Sequence, residues 1–196
     1  MISDLKEQIA KEFLSDSNDF LLRYEILKER SLSGQKGLRS KLLVDLLFAA
    51  ECSLKSLIFL LSIEDVNAIY KKICIHDLNK LLNKLPCEEK KYCCTLLDEN
   101  FRKYKIENRY LLEVYKTFQS TGVLEEEYYN TIARPEWFSN IYSNLKDVNE
   151  YISTKIGIIS KGKLLVTGTA KELKERYNAE NLEEVFERVV KDNEVL

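Results

Sequence analysis

The spacing of apolar residues predicts helices over most of this chain. The clearest case is the segment 38–62, where apolar side chains recur every three or four residues and form a broad stripe. The stripe consists of Leu42, Leu43, Leu46, Leu47, Ala50, Leu54, Leu57, Ile58 and Leu61. We expect this segment to be the central core helix of a bundle. Asp45, Glu51 and Lys55 make it too polar to span a membrane.

Further helices are predicted before and after the central one. The first has Ser3 as its cap, breaks at the polar residues 15–18, and resumes over residues 20–32. The other predicted helices are 64–73, a short helix opened by His76 and Asp77, then 87–105, 106–119, 125–133 and 135–154. The predicted fold class is therefore mainly α, an up-and-down helical bundle over residues 1–154.

The composition changes after residue 154. Three of the six glycines lie between residues 157 and 168, and two β-rich runs, 156–160 and 163–167, predict a hairpin. Thr169 and Asn181 each begin a capping-box pattern, which predicts two helices. Residues 155–196 are thus expected to form a ββαα appendage, too small for a core of its own and docked on the bundle.

Charge and cysteine usage restrict the function further. The chain has 30 basic and 32 acidic residues, so only a local patch, such as the basic stretch 28–41, could attract nucleic acid. Five cysteines form no CxxC pair and there is one histidine, so we expect no metal site and no cofactor. Irregularly spaced thiols favour a cytoplasmic protein, and the polar residues of the central helix favour the absence of membrane insertion.

The stretch from Gly157 to Leu164 follows most of the pattern of a phosphate-binding loop. Leu164 stands where magnesium needs Ser or Thr, and a β-rich run follows where a helix is required. We therefore expect no nucleotide site at this loop.

The appendage resembles the C-terminal end of an ABC-transporter ATPase subunit. The resemblance rests on Ile-Gly-Ile-Ile-Ser-Lys-Gly-Lys-Leu-Leu-Val-Thr-Gly-Thr from residue 156, with 170–173 and 182–186, and extends over about 144–190. Walker A, the signature loop, Walker B and the switch histidine are missing from this sequence. The resemblance therefore implies an accessory or remnant protein of an ABC transporter, without ATPase activity.

The helical part, about residues 19–119, is similar to the HEPN superfamily. The similarity rests on Ala-Glu-Cys-Ser-Leu-Lys at 50–55, His-Asp-Leu-Asn-Lys-Leu-Leu at 76–82 and Asn-Arg-Tyr at 108–110. It implies a small helical bundle, commonly a homodimer. It also implies a ribonuclease, or a protein that binds a nucleotide, RNA or a nucleotidyltransferase partner, in toxin–antitoxin or defence systems.

The HEPN ribonucleases carry an arginine, then four to six residues, then a histidine. The corresponding positions before His76 are Ile69, Tyr70 and Lys71, and none is arginine. Lysine lacks the guanidinium fork that grips a phosphate. We therefore expect a protein without catalytic activity, with a metal-independent ribonuclease using His76 and Lys71 or Arg109 as the alternative.

The expected ligand site comprises His76, Asp77, Arg109, Tyr110, Glu51 and Lys55. In this hypothesis Arg109 meets a phosphate and Tyr110 stacks on a base, with Arg102 and Tyr104 as further members of a basic and aromatic surface. Two simpler interpretations stay open. In the first, His76 only bonds the backbone at its own helix start. In the second, Glu51 and Lys55 form an intrahelical pair rather than face Arg109.

Overall fold

A computed structural model describes residues 2–32, 36–105, 123–160 and 163–194. The described residues form ten α-helices and one two-stranded hairpin. The helices are α1 (Ile2–Leu32), α2 (Arg39–Leu61), α3 (Val66–Ile73), α4 (Leu78–Leu82), α5 (Cys87–Leu96), α6 (Glu99–Lys103), α7 (Val123–Asn130), α8 (Pro135–Ser153), α9 (Ala170–Arg176) and α10 (Leu182–Glu194). The strands are β1 (Lys155–Ser160) and β2 (Lys163–Thr169). The predicted fold class, a mainly α bundle with a small C-terminal appendage, is confirmed.

The two longest helices, α1 and α2, form an antiparallel pair. Contacts along the pair run in opposite sequence directions, so the end of α1 lies beside the start of α2. The contacting pairs are Ala10 with Ser56, Phe13 with Phe59, Phe20 with Phe48 and Arg23 with Asp45. Nearly every residue of α2 after its first turn is buried, which confirms it as the central core helix.

Helix α8 completes the long-helix core. Tyr24 of α1 stacks on Tyr142 with ring centroids 5.0 Å apart, and Ser17 of α1 contacts Asn149. These contacts place α8 antiparallel to α1 and therefore parallel to α2. None of the helices in the described segments has the length and apolar character needed to cross a membrane.

The predicted break at residues 15–18 is wrong, because α1 is continuous from Ile2 to Leu32. Ser17 is fully buried, and its hydroxyl lies 2.9 Å from the Ser53 hydroxyl and accepts from Asn149 Nδ2 at 2.9 Å. The polar residues here serve helix packing instead of ending the helix. Ser3 lies inside α1 and is not its cap.

The predicted single helix over 87–105 is also wrong. Helix α5 ends at Leu96, whose carbonyl accepts a hydrogen bond from Asn144 Nδ2 at 2.8 Å, and α6 begins after Asp98. The Asp98 carboxylate caps α6 by accepting from the backbone N–H of Phe101 at 2.9 Å. The predicted helix 106–119 lies outside the described residues.

The appendage has the predicted order of elements. Strands β1 and β2 pair antiparallel, and Thr169 and Glu172 form the predicted capping box at the start of α9. The expectation that the appendage lacks a core is wrong, because three side chains are fully buried within it. These are Leu173, Val185 and Val189, with Leu165, Val166, Tyr177 and Ala179 packed around them.

Candidate functional site

Three of the predicted site residues meet where α2 passes the loop before α4. Glu51 and Lys55 lie one turn apart on α2, and Lys55 Nζ is 2.6 Å from Glu51 Oε1. His76 reaches the same carboxylate from the loop, with Nδ1 2.9 Å from Oε2 and 3.1 Å from Oε1. One carboxylate therefore holds both a lysine and a histidine.

The three side chains differ sharply in burial. The Glu51 side chain is 6% exposed and that of Lys55 is 11% exposed, whereas the His76 side chain is 68% exposed. Burying a carboxylate is expensive unless an opposite charge accompanies it, and Lys55 supplies that charge. The imidazole is thus held on its Nδ1 side by a buried group while its outer edge faces solvent.

The local sequence explains why His76 lies at this position. Helix α3 ends with buried Ile73, and α4 begins with buried Leu78, so the short loop between them is fixed at both ends. Asp77 is the N-cap of α4, and its Oδ1 accepts from the backbone N–H of Lys80 at 2.9 Å. Asp77 therefore serves the helix start, and His76 is the residue of the pair that faces α2.

The contacts decide between the earlier interpretations of Glu51 and His76. Glu51 and Lys55 do form the intrahelical pair, and His76 bonds Glu51 rather than the backbone of its own helix start. Arg109 and Tyr110 lie outside the described residues. Their convergence with His76 on one groove, and the pairing of Glu51 with Arg109, stay predictions.

Other residues named from the sequence have structural roles. Lys71 lies exposed in the last turn of α3, and the partner of His76 Nδ1 is Glu51, not Lys71. Arg102 donates from Nε to the Leu97 carbonyl at 3.0 Å and from Nη1 to Asn79 Oδ1 at 2.6 Å. The Tyr104 hydroxyl lies 2.8 Å from Thr131 Oγ1. Arg102 and Tyr104 therefore tie the bundle together, and the stacking surface that would also include Arg109 and Tyr110 stays a prediction.

The cluster can act through the outer nitrogen of His76. A neutral imidazole that donates Nδ1–H to Glu51 keeps a lone pair on Nε2, whereas an imidazolium presents an Nε2–H donor to solvent. Within the described segments, Nε2 has no hydrogen-bond partner. The site can thus accept a proton or bind an anion at that atom.

The neighbouring thiol offers no comparable chemistry. Burial, with a smaller contribution from Glu51, raises the pKa of Cys52 to about 12, so its reactive thiolate is scarce at neutral pH. Among the described residues, no three His, Cys, Asp or Glu side chains are grouped so that they could hold a metal ion.

The contact between Glu51 and His76 joins residues 25 positions apart on different elements. No spacing rule links such positions, although an acidic residue in the middle of an apolar helix is a signal for a buried partner. No family model, curated protein or solved structure matches this chain.

Proposed function

We propose that this chain is a HEPN-like protein without catalytic activity that binds a phosphate-bearing ligand, a nucleotide or RNA, beside His76. The observation that carries the proposal is the buried Glu51 carboxylate, which already has Lys55 as its counter-charge and also holds an exposed imidazole. Lys55 alone neutralises Glu51, so the contact with His76 is not needed to balance the buried charge.

The charges of the cluster favour an anion. Glu51 and Lys55 cancel each other, so a proton on His76 gives the cluster one net positive charge at its solvent side. Because the contact with Glu51 fixes the orientation of the ring, its Nε2–H points in one direction. The side chain therefore loses less conformational entropy when a ligand binds. Hydrogen bonds from charged donors to phosphate oxygens are shorter and stronger than those between neutral groups.

The HEPN resemblance supplies the remaining parts of the proposal. Arg109 would contact a phosphate and Tyr110 would stack on a base. Four further parts of the proposal rest on the sequence alone. They are a homodimer, a nucleotidyltransferase partner, a toxin–antitoxin or defence setting, and a cytoplasmic location.

The test measures binding of two fluorescent probes, a labelled ATP and a labelled single-stranded oligoribonucleotide, by anisotropy at low salt. We expect His76→Ala to weaken binding by about 1–3 kcal/mol, the scale of a hydrogen bond to a charged group. His76→Asn provides the matched variant, because its amide can replace Nδ1 toward Glu51 but offers nothing at the position of Nε2. Both variants should lose binding equally if Nε2 contacts the ligand.

Lys91→Ala, on the exposed side of α5, controls for simple loss of surface charge and should bind like the unmodified protein. Full binding by a folded His76→Ala variant would refute the proposal, as would failure of the unmodified protein to bind either probe. The probe that binds more tightly identifies a nucleotide or RNA as the preferred ligand.

The carboxylate–imidazole contact also favours a second candidate, a metal-independent ribonuclease. A carboxylate on Nδ1 fixes the tautomer and stabilises the imidazolium, as a general base needs when it takes the proton of a ribose 2′-hydroxyl. Cleavage of RNA in EDTA that disappears in His76→Ala would establish this activity. An intact oligoribonucleotide after long incubation with concentrated protein would exclude it.

A further inference from the structure

A second buried cation lies where the bundle joins the appendage. The Lys155 side chain is only 2% exposed, and its Nζ is 2.9 Å from Glu172 Oε2 and 3.5 Å from Glu89 Oε1. The ammonium also lies 4.2 Å from the centre of the Tyr151 ring, in the geometry of a cation–π contact. Lys155 is thus enclosed by two carboxylates and one aromatic face, all of which favour a cation.

These partners belong to two different parts of the molecule. Glu89 lies on α5 and Tyr151 on α8, both in the bundle, whereas Glu172 lies on α9 in the appendage. Lys155 itself begins β1, directly after α8 ends. One side chain of the appendage therefore bonds to the bundle across the junction.

The two parts also face each other across a cleft. The cleft has a volume of about 340 Å³ and is lined by Leu61 and Pro86 of the bundle and by Leu165, Val166 and Arg176 of the appendage. The appendage buries its own small core and caps its own helix α9. Both features are made by residues of the appendage alone.

We propose that Lys155 is a latch that holds the appendage against the bundle, and that removing its bond to Glu89 lets the appendage swing away as a folded unit and open the cleft. The pivot is the short connection between the end of α8 and the start of β1. Without the ammonium, Glu89 and Glu172 face each other across the junction with like charge, which favours separation.

The decisive variant is Glu89→Gln in the full chain. It removes the charge on the bundle side while leaving the Lys155–Glu172 pair and the capping box of α9 in place. Small-angle scattering should show a larger radius of gyration. Hydrogen exchange should become about ten-fold faster at the start of α5, on the scale of a local opening, while β2, α9 and α10 keep their protection because the appendage moves as a folded unit.

Lys155→Met should change the radius of gyration and the hydrogen exchange in the same direction but by more, since it removes both ion pairs. Lys171→Met, on the exposed side of α9, is the control and should leave scattering and exchange unchanged. The proposal is overturned if Glu89→Gln changes neither measurement. It is equally overturned if β2, α9 and α10 lose protection, because the appendage would then unfold instead of swinging.

Discussion

The cluster around Glu51 and the junction around Lys155 are both built from ion pairs, but the sign of the shared central group is opposite in the two. At the first, one carboxylate is shared by two basic side chains, Lys55 and His76. At the second, one ammonium is shared by two carboxylates, Glu89 and Glu172. The first leaves a ring edge exposed to solvent, and the second encloses its shared ion completely.

The difference separates the proposed binding site from a structural contact. An exposed imidazole beside a neutralised carboxylate presents an atom that a ligand can reach. An enclosed ammonium presents none and can act only on the elements that surround it. Burial of a charge by itself therefore does not indicate a binding site, whereas an exposed imidazole held by that charge does.

The largest expected effect comes from breaking the first cluster at its centre. Glu51→Ala leaves Lys55 buried without a counter-charge, and we expect the free energy of unfolding to fall by about 3–5 kcal/mol. Urea denaturation followed by circular dichroism measures the change. The double variant Glu51→Leu with Lys55→Met should regain most of that stability, since it buries no charge. Equal stability of the single and double variants would contradict this account.

A smaller effect is expected from acid at the junction. Burial alone raises the pKa of Glu172, but hydrogen bonds from Lys155 and from the Thr169 backbone outweigh it and lower the pKa from 4.5. Because the folded-state pKa is the lower one, this stabilisation is complete above about pH 4.5 and is lost as the pH falls through the folded value.

Above this acid range, the junction is insensitive to pH until the alkaline range. Burial disfavours the Lys155 charge, yet hydrogen bonds with Tyr151 and Glu172 raise its pKa above 10.5, so its contribution is lost only as the pH rises beyond that value. Glu172 and Lys155 both belong to the appendage, so acid should loosen the start of α9 before it affects the bundle. Protection from hydrogen exchange, compared above and below pH 4.5, should fall at the start of α9 while the helices of the bundle keep theirs. Equal loss of protection in the bundle would argue against a local effect.

The smallest effect is expected at an ion pair in which both side chains are exposed. Lys103 Nζ lies 3.3 Å from Glu99 Oε1 on α6, with both side chains largely exposed. Lys103→Ala should change the free energy of unfolding by less than about 0.5 kcal/mol, because water screens such a pair. A loss as large as that of Glu51→Ala would mean that burial is not what distinguishes these pairs.

The sequence predicted the contacts that are local in the chain. Glu51 and Lys55 are four residues apart on a helix, and Thr169 and Glu172 are three apart at a helix start, so backbone geometry alone brings each pair together. The apolar stripe of α2 and the first helical residue Pro135 of α8 were predictable for the same reason.

Predictions failed where a distant element determined the result. Residues 15–18 have the composition of a loop, yet Ser17 finds Ser53 and Asn149 inside the bundle, and the helix continues. No local pattern in the sequence indicates the role of Lys155, because its partners lie 66 residues before it and 17 residues after it.

The sequence by itself thus determined the helices, the hairpin, the change of character after residue 154 and the identity of the one histidine. Only the tertiary structure decided that this histidine faces a buried glutamate and that a buried lysine joins the appendage to the bundle. The physical reason is the range of the interactions. Periodicity and capping act within one or two helical turns, whereas a buried charge is satisfied by whichever opposite charge the packed elements bring to it.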